Sequence, residues 1–121
     1  MLKRKKTVAI VDDDPSMLGA TRDLLDAHGF ATRTFTSAEE FLDAAADDID
    51  CLLLDIHLGG MSGIELRREL KISRANLPVI FMTALDDERT REQALKTECV
   101  AYLRKPYSSR QLIEAIEKAA L

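Results

Sequence analysis

An α/β fold, with a parallel sheet covered by helices on both faces, is predicted by three features of this sequence. First, four short apolar runs each end on a reactive polar residue. Val8-Ala9-Ile10-Val11 runs into Asp12-Asp13-Asp14, Cys51-Leu52-Leu53-Leu54 into Asp55, and Pro78-Val79-Ile80-Phe81-Met82 into Thr83. Val100-Ala101-Tyr102-Leu103 leads through Arg104 to Lys105-Pro106. Runs of this length, rich in Val, Ile and Leu, are how strands buried on both faces read. Second, helical periods separate the runs. Third, the connections are short, so the βαβαβαβαβα alternation favours right-handed crossovers. Strand order is not fixed by periodicity.

The elements follow in order. After the first strand, Asp14 precedes Pro15, which suits the first turn of a helix. Met17, Leu18, Thr21, Leu24, Leu25 and His28 follow at three- and four-residue spacing, and Gly29 supplies a stop. Ala31 to Phe35, with Thr and Arg interleaved, reads as a weaker strand that lies at an edge or is half exposed. Ser37 begins a Ser-x-x-Glu capping box closed by Glu40, with Phe41, Leu42, Ala45 and Ala46 as the apolar stripe. Leu58-Gly59-Gly60-Met61-Ser62-Gly63 is a loop by composition. Ile64 to about Ile72 reads as a third helix, and Pro78 opens the next strand. A fourth helix is expected from about Asp87 to Lys96. Ser108 or Ser109 caps a fifth, whose Leu112, Ile113, Ile116 and Ala120 share a face.

Bulk properties narrow the function. The 121 residues form one expected domain, long enough to bury a core without staples. The chain is 46% hydrophobic and 31% charged, with a net charge of −4, and its acidic residues dominate the candidate site. That balance argues against a nucleic-acid surface, which needs a basic stripe. Lys3-Arg4-Lys5-Lys6 is the one basic cluster. The apolar stretch after it is too short for a signal peptide and stops at three aspartates, so it reads as a solvated lead-in. No run approaches membrane-spanning length. Cys51 and Cys99 lack zinc-site spacing and read as buried thiols of a cytoplasmic protein.

Ligands of open parallel sheets sit outside the carboxyl ends of the strands. There, three carboxylates, a hydroxyl and an ammonium would converge on a divalent cation and a phosphoryl group. Magnesium prefers octahedral oxygen coordination and is usually held by one or two carboxylates plus substrate phosphate. Asp12, Asp13 and Asp55 can supply such a shell. Any one of them could simply cap the next helix, as Asp14 before Pro15 is also placed to do.

Four motifs in this order and spacing carry a resemblance. They are Val11-Asp12-Asp13-Asp14, Leu54-Asp55-Ile56-His57-Leu58 continuing to Met61-Ser62-Gly63, Met82-Thr83-Ala84, and Tyr102-Leu103-Arg104-Lys105-Pro106-Tyr107. From end to end the chain resembles a receiver domain of two-component response regulators, particularly those that precede LuxR/FixJ-type output domains.

The resemblance implies a doubly wound (βα)5, flavodoxin-like fold and a phosphoprotein switch in transcription regulation. Asp55 would accept the phosphoryl group of a sensor histidine kinase. Asp13 and Asp55 would ligate Mg2+, for which Mn2+ would substitute, with Asp12 acting mainly through water and the His57 backbone carbonyl completing the protein's share. Thr83 and Lys105 would each hold a phosphoryl oxygen, and the Lys105-Pro106 bond would be cis. Phosphorylation would draw Thr83 inward and Tyr102 after it, repacking the face made by the fourth helix, last strand and fifth helix. That face would promote a homodimer. The domain would catalyse only its own phosphorylation and dephosphorylation, and would touch neither nucleic acid nor membrane. Residues 1–121 would be a single receiver with no output domain, stand-alone or excised.

The sequence departs from the family pattern at several positions. His57 and Leu85 hold places where the family tunes water access, and neither is a carboxylate or amide suited to orient it. Gly59 stands where proline is usual, which leaves the loop less restricted. Glu98-Cys99 replaces a typical Gly-Ala pair just past the fourth helix. Forcing Glu98 into a left-handed conformation would cost roughly 1 kcal/mol. Two other classes fit less well. A haloacid-dehalogenase-like Mg2+ phosphatase would use Asp12-Asp13-Asp14 as its nucleophile motif, but needs a further acidic pair that only Glu114 and Glu117 could supply. A flavodoxin-like binding module needs donors after the first strand, where three aspartates would repel its phosphate.

Overall fold

The computed structural model describes residues 5–85 and 87–120. Lys3 and Arg4 of the basic lead-in lie outside them, while Lys5 and Lys6 are exposed. Ten elements alternate: β1 (Thr7–Val11), α1 (Pro15–Ala27), β2 (Ala31–Phe35), α2 (Ala38–Ala44), β3 (Cys51–Asp55), α3 (Gly63–Ser73), β4 (Val79–Thr83), α4 (Glu88–Leu95), β5 (Ala101–Arg104) and α5 (Ser109–Ala119). All strand pairs are parallel, in the order β2-β1-β3-β4-β5. Every residue of β1, β3 and β4 is buried, as their unbroken apolar runs require. β2 lies at one edge, as its interleaved Thr and Arg predicted, and half-exposed β5 lies at the other.

Period-two alternation divides the core. Val8, Ile10, Leu53, Ile80 and Met82 face α1 and α5, where they meet Leu18, Leu25, Leu112 and Ile116. Ala9, Val11, Leu52, Leu54 and Phe81 face the other way, onto Phe41 of α2, Leu66 and Leu70 of α3, and Ala94 of α4. Phe35 and Phe41 meet edge to face there, with centroids 5.2 Å apart. The helix after β1 therefore covers one face and the helix after β3 the other. Their loops diverge at the carboxyl end of the sheet, where Asp12, Asp13 and Asp55 cluster.

The helix starts follow the expected caps with one correction. Asp14 caps α1 by accepting from Ser16 N and Met17 N, and Ser108 with Gln111 forms a full reciprocal box on α5. At α2 the Ser37 hydroxyl accepts from Glu40 N as expected. The Glu40 carboxylate, however, does not close the box on Ser37. It takes both the backbone N–H and the hydroxyl of Thr36, at 3.1 and 2.7 Å. Both donors of Thr36 converge on this one oxygen, and these bonds hold Glu40 below the usual carboxylate range.

Glu98 does adopt the left-handed conformation, at φ 61°. α3 holds it there. The buried Arg67 guanidinium donates to the carbonyls of Thr97, Leu77 and Glu98, and Lys71 pairs with the Glu98 carboxylate at 3.2 Å. The pair is exposed and contributes little, so the backbone term decides. Glu98→Gly is expected to raise stability by roughly 1 kcal/mol, read as a thermal midpoint about 4 °C higher. An unchanged or lower midpoint would count against a strained turn.

Candidate functional site

Strand register brings the polar ends level. Val11 pairs with Leu54, so Asp12 and Asp55 come next to each other on adjacent strands. Asp55 pairs with Met82 and Thr83 with Arg104, so Thr83 and Lys105 each follow one residue beyond.

Asp12 is buried, at 1% exposure, and Asp55 nearly so, at 6%. One ammonium bridges them: Lys105 Nζ lies 3.0 Å from Asp12 Oδ2 and 3.0 Å from Asp55 Oδ2. The remaining oxygens accept backbone amides, Asp12 Oδ1 from Asp14 N at 3.0 Å and Asp55 Oδ1 from His57 N at 3.1 Å. Asp13 is exposed, and its Oδ2 accepts from Gly59 N at 3.3 Å. Carboxylate oxygens of Asp12, Asp13 and Asp55 lie within 4.8 Å of one another. Asp14 stays outside the group as a cap. An all-oxygen, triply acidic donor set at this spacing fits a hard divalent cation such as Mg2+.

Thr83 is fully buried, and its hydroxyl is engaged locally, donating to Leu85 O at 2.9 Å and accepting from Leu85 N at 3.0 Å. Tyr102 is half-buried against the α2–α4 side of the core. The Lys105-Pro106 peptide is cis, as expected. His57 is exposed, and His28 Nδ1 sits 3.0 Å from the Leu24 carbonyl at the end of α1. Cys51 is fully buried, and burial together with the Asp50 charge pushes its thiol up to about 12. Cys99 is only half-buried, short of the expectation.

Burial pushes the Asp55 carboxyl above its ordinary value. The hydrogen bond and charge of Lys105 oppose this, while Asp12 adds to it. For Lys105, burial acts downward and is outweighed by the bonds to Asp12 and Asp55, so its pKa stands above the ordinary 10.5. A cation raised in the folded state stabilises fully below 10.5 and loses that contribution only as pH rises through the higher value. Lys105 is therefore charged throughout the neutral range.

Residues 8–117 match the family model of the response regulator receiver domain. The chain belongs to that family. This receiver is 36% identical over 117 residues to the transcriptional regulatory protein TdiR of Thauera aromatica, covering 93% of this chain and 50% of TdiR. It is 33% identical over 116 residues to the transcriptional regulatory protein FixJ of Bradyrhizobium diazoefficiens, covering 95% and 57%. The receiver thus spans about half the length of these curated relatives. Among solved structures, FixJ-N superposes with a TM-score of 0.88 at 34% identity, covering 98% of this chain and 95% of that one. A receiver domain protein of Methanospirillum hungatei JF-1 gives 0.89 at 28% identity, covering 95% and 93%. Receivers are signalling domains that bind Mg2+ at an acidic pocket. No helix among the described residues is long and apolar enough to cross a membrane.

Three contributions escaped the sequence: the Gly59 amide on Asp13, the Glu39 carboxylate on Met61 N at 2.9 Å, and the Arg67 clamp. Each joins residues far apart in the chain, and no local pattern announces them.

Proposed function

We propose that this receiver is a phosphorylation-controlled switch in which Asp55 is the acceptor. An Asp55 oxygen attacks the phosphorus of a phosphohistidine on a sensor histidine kinase. The P–N bond breaks, its electron pair returns to the imidazole, and an acyl phosphate forms. Asp12, Asp13, Asp55 and the His57 carbonyl would hold Mg2+, which when bound supplies charge neutralisation between the carboxylate and the phosphoryl oxygens. Mn2+, with the same preference for oxygen ligands, would substitute. Lys105 turns from bridging Asp12 and Asp55 to pairing with a phosphoryl oxygen. The observation that carries the reading is this single ammonium placed between two buried carboxylates.

Readout runs through Thr83. For its hydroxyl to donate to a phosphoryl oxygen it must leave the Leu85 carbonyl, and that frees the β4–α4 connection. α4 buries only Ala94 fully, so it shifts at small cost. Tyr102 then moves into the space Thr83 leaves, and the α4-β5-α5 face changes shape. That face would serve a homodimer or an output partner, in keeping with the transcriptional regulators it resembles. Residues 1–121 would act as one receiver unit in the cytoplasm, without touching nucleic acid.

The phosphatase reading loses its missing acidic pair, since Glu114 is exposed and bonded to Arg110. Incubation with Mg2+ and acetyl phosphate, followed by peptide mass analysis, is expected to place one phosphoryl adduct on Asp55 and none in Asp55→Asn. An adduct that persists in Asp55→Asn would overturn the acceptor assignment.

A further inference from the structure

Lys105 serves two of the three clustered carboxylates and leaves the third to something else. Asp13 is exposed on the rim, and the donor on its Oδ2 is the backbone N–H of Gly59, 46 residues away in the chain. The loop that carries this amide is fixed on both sides. Met61 N, two residues on, donates to Glu39 Oε2 at 2.9 Å, and Gly63 N donates to Ile56 O at 2.9 Å. Gly60 makes the turn at φ 76°, and a side chain there would come within 2.9 Å of the Glu39 carboxylate. Glu39 is itself held below the usual carboxylate range by the Met61 amide, so it stays an acceptor. The Gly59 amide is thus a preset donor rather than a passing contact.

We infer that Gly59 is a positioning residue for the metal ligand Asp13, its amide fixing one carboxylate oxygen so that the other is presented to Mg2+. The inference rests on the reading of Asp13 as a metal ligand. The physical reason is twofold. An exposed aspartate must give up rotamer freedom to ligate, and an amide already on Oδ2 removes part of that cost before the ion arrives. The same N–H offsets repulsion among three carboxylates within 4.8 Å of one another. A proline in this place has no N–H to give, so the sequence departure at Gly59 adds a ligand-orienting bond.

The test separates the amide from the loop. A side chain at Gly59 meets nothing within 4 Å, so Gly59→Ala keeps the N–H without a clash, whereas Gly59→Pro removes it. Calorimetric titration with Mg2+ is expected to give Gly59→Ala an affinity near that of the parent chain. Gly59→Pro should bind about fivefold more weakly, the worth of one such hydrogen bond. In an Asp13→Ala background the two variants should bind equally, however weakly. As a second measurement that needs no proline, exchange of the Gly59 amide hydrogen should speed up in Asp13→Ala. Equal affinities of Gly59→Ala and Gly59→Pro, a proline effect that survives in Asp13→Ala, or unchanged amide exchange would each overturn the role of Gly59 while leaving the metal site standing. A parent chain that binds no Mg2+, or binds it unchanged in Asp13→Ala, would overturn both.

Discussion

Lys105→Ala is expected to lower the rate of phosphoryl acceptance from acetyl phosphate about a hundredfold, the scale lost when one preorganised charge-stabilising donor is removed. The argument is electrostatic. Lys105 Nζ sits 3.0 Å from both Asp12 and Asp55, and its side chain is only 15% exposed. Water therefore replaces it poorly. Without the ammonium, two buried carboxylates and an incoming phosphoryl dianion lose the one side-chain cation that lies between them, and Mg2+ alone would have to offset their repulsion. The pH dependence should move as well. Lys105 is what holds the Asp55 carboxyl down against burial and the Asp12 charge. Its loss raises the Asp55 pKa further, so the carboxylate needed for attack appears only at higher pH. The acid limb of the rate profile shifts upward in pH, never downward. Rates at pH 7 and the profile from pH 5 to 9 would be measured on a variant whose circular dichroism matches the parent. A rate within threefold of the parent would remove Lys105 from the chemistry.

Gly63→Ala is the second large effect, and it acts through the backbone. Gly63 opens α3 directly against the end of β3. A Cβ there would lie 2.3 Å from the Asp55 carbonyl oxygen and 2.9 Å from the Ile56 Cα. Neither is a flexible side chain that can step aside. α3 must lift from the sheet, losing part of the packing of buried Ile64, Leu66 and Leu70, or the strand end carrying Asp55 must move. Overpacking of this kind costs about 3 kcal/mol or more. The expected drop in thermal midpoint is roughly 10–15 °C, with reduced phosphoryl acceptance even in the folded fraction. A midpoint within a few degrees of the parent would show that the helix start tolerates displacement.

How much of this could be read from residues is set by the range of the interactions. β1, β3 and β4 were legible because strands buried on both faces must be apolar throughout. The polar residues ending them were legible because a buried polar group without a role is costly. Strand order was not, since an alternating pattern is compatible with several windings. The Glu98 strain was visible because left-handed backbone is a one-residue property. The reach of Glu40 to Thr36 was missed because the capping pattern specifies the acceptor's spacing but not which neighbour it takes as donor. Gly59 with Asp13, Glu39 with Met61, and Arg67 with Thr97 are all tertiary, and the sequence marks none of them.

The ammonium between the two carboxylates also has a meaning for folding. Lys105 is separated from Asp12 by 93 residues and from Asp55 by 50. Closing contacts of such span costs more loop entropy than closing local ones. Asp12 and Asp55 can come together once β1 and β3 pair, but their cation arrives only when the far edge strand has docked on β4. A chain without that edge strand in place would hold Asp55 without its ammonium partner. On the proposed reading of Asp55, competence to accept a phosphoryl group would therefore be tied to completion of the sheet.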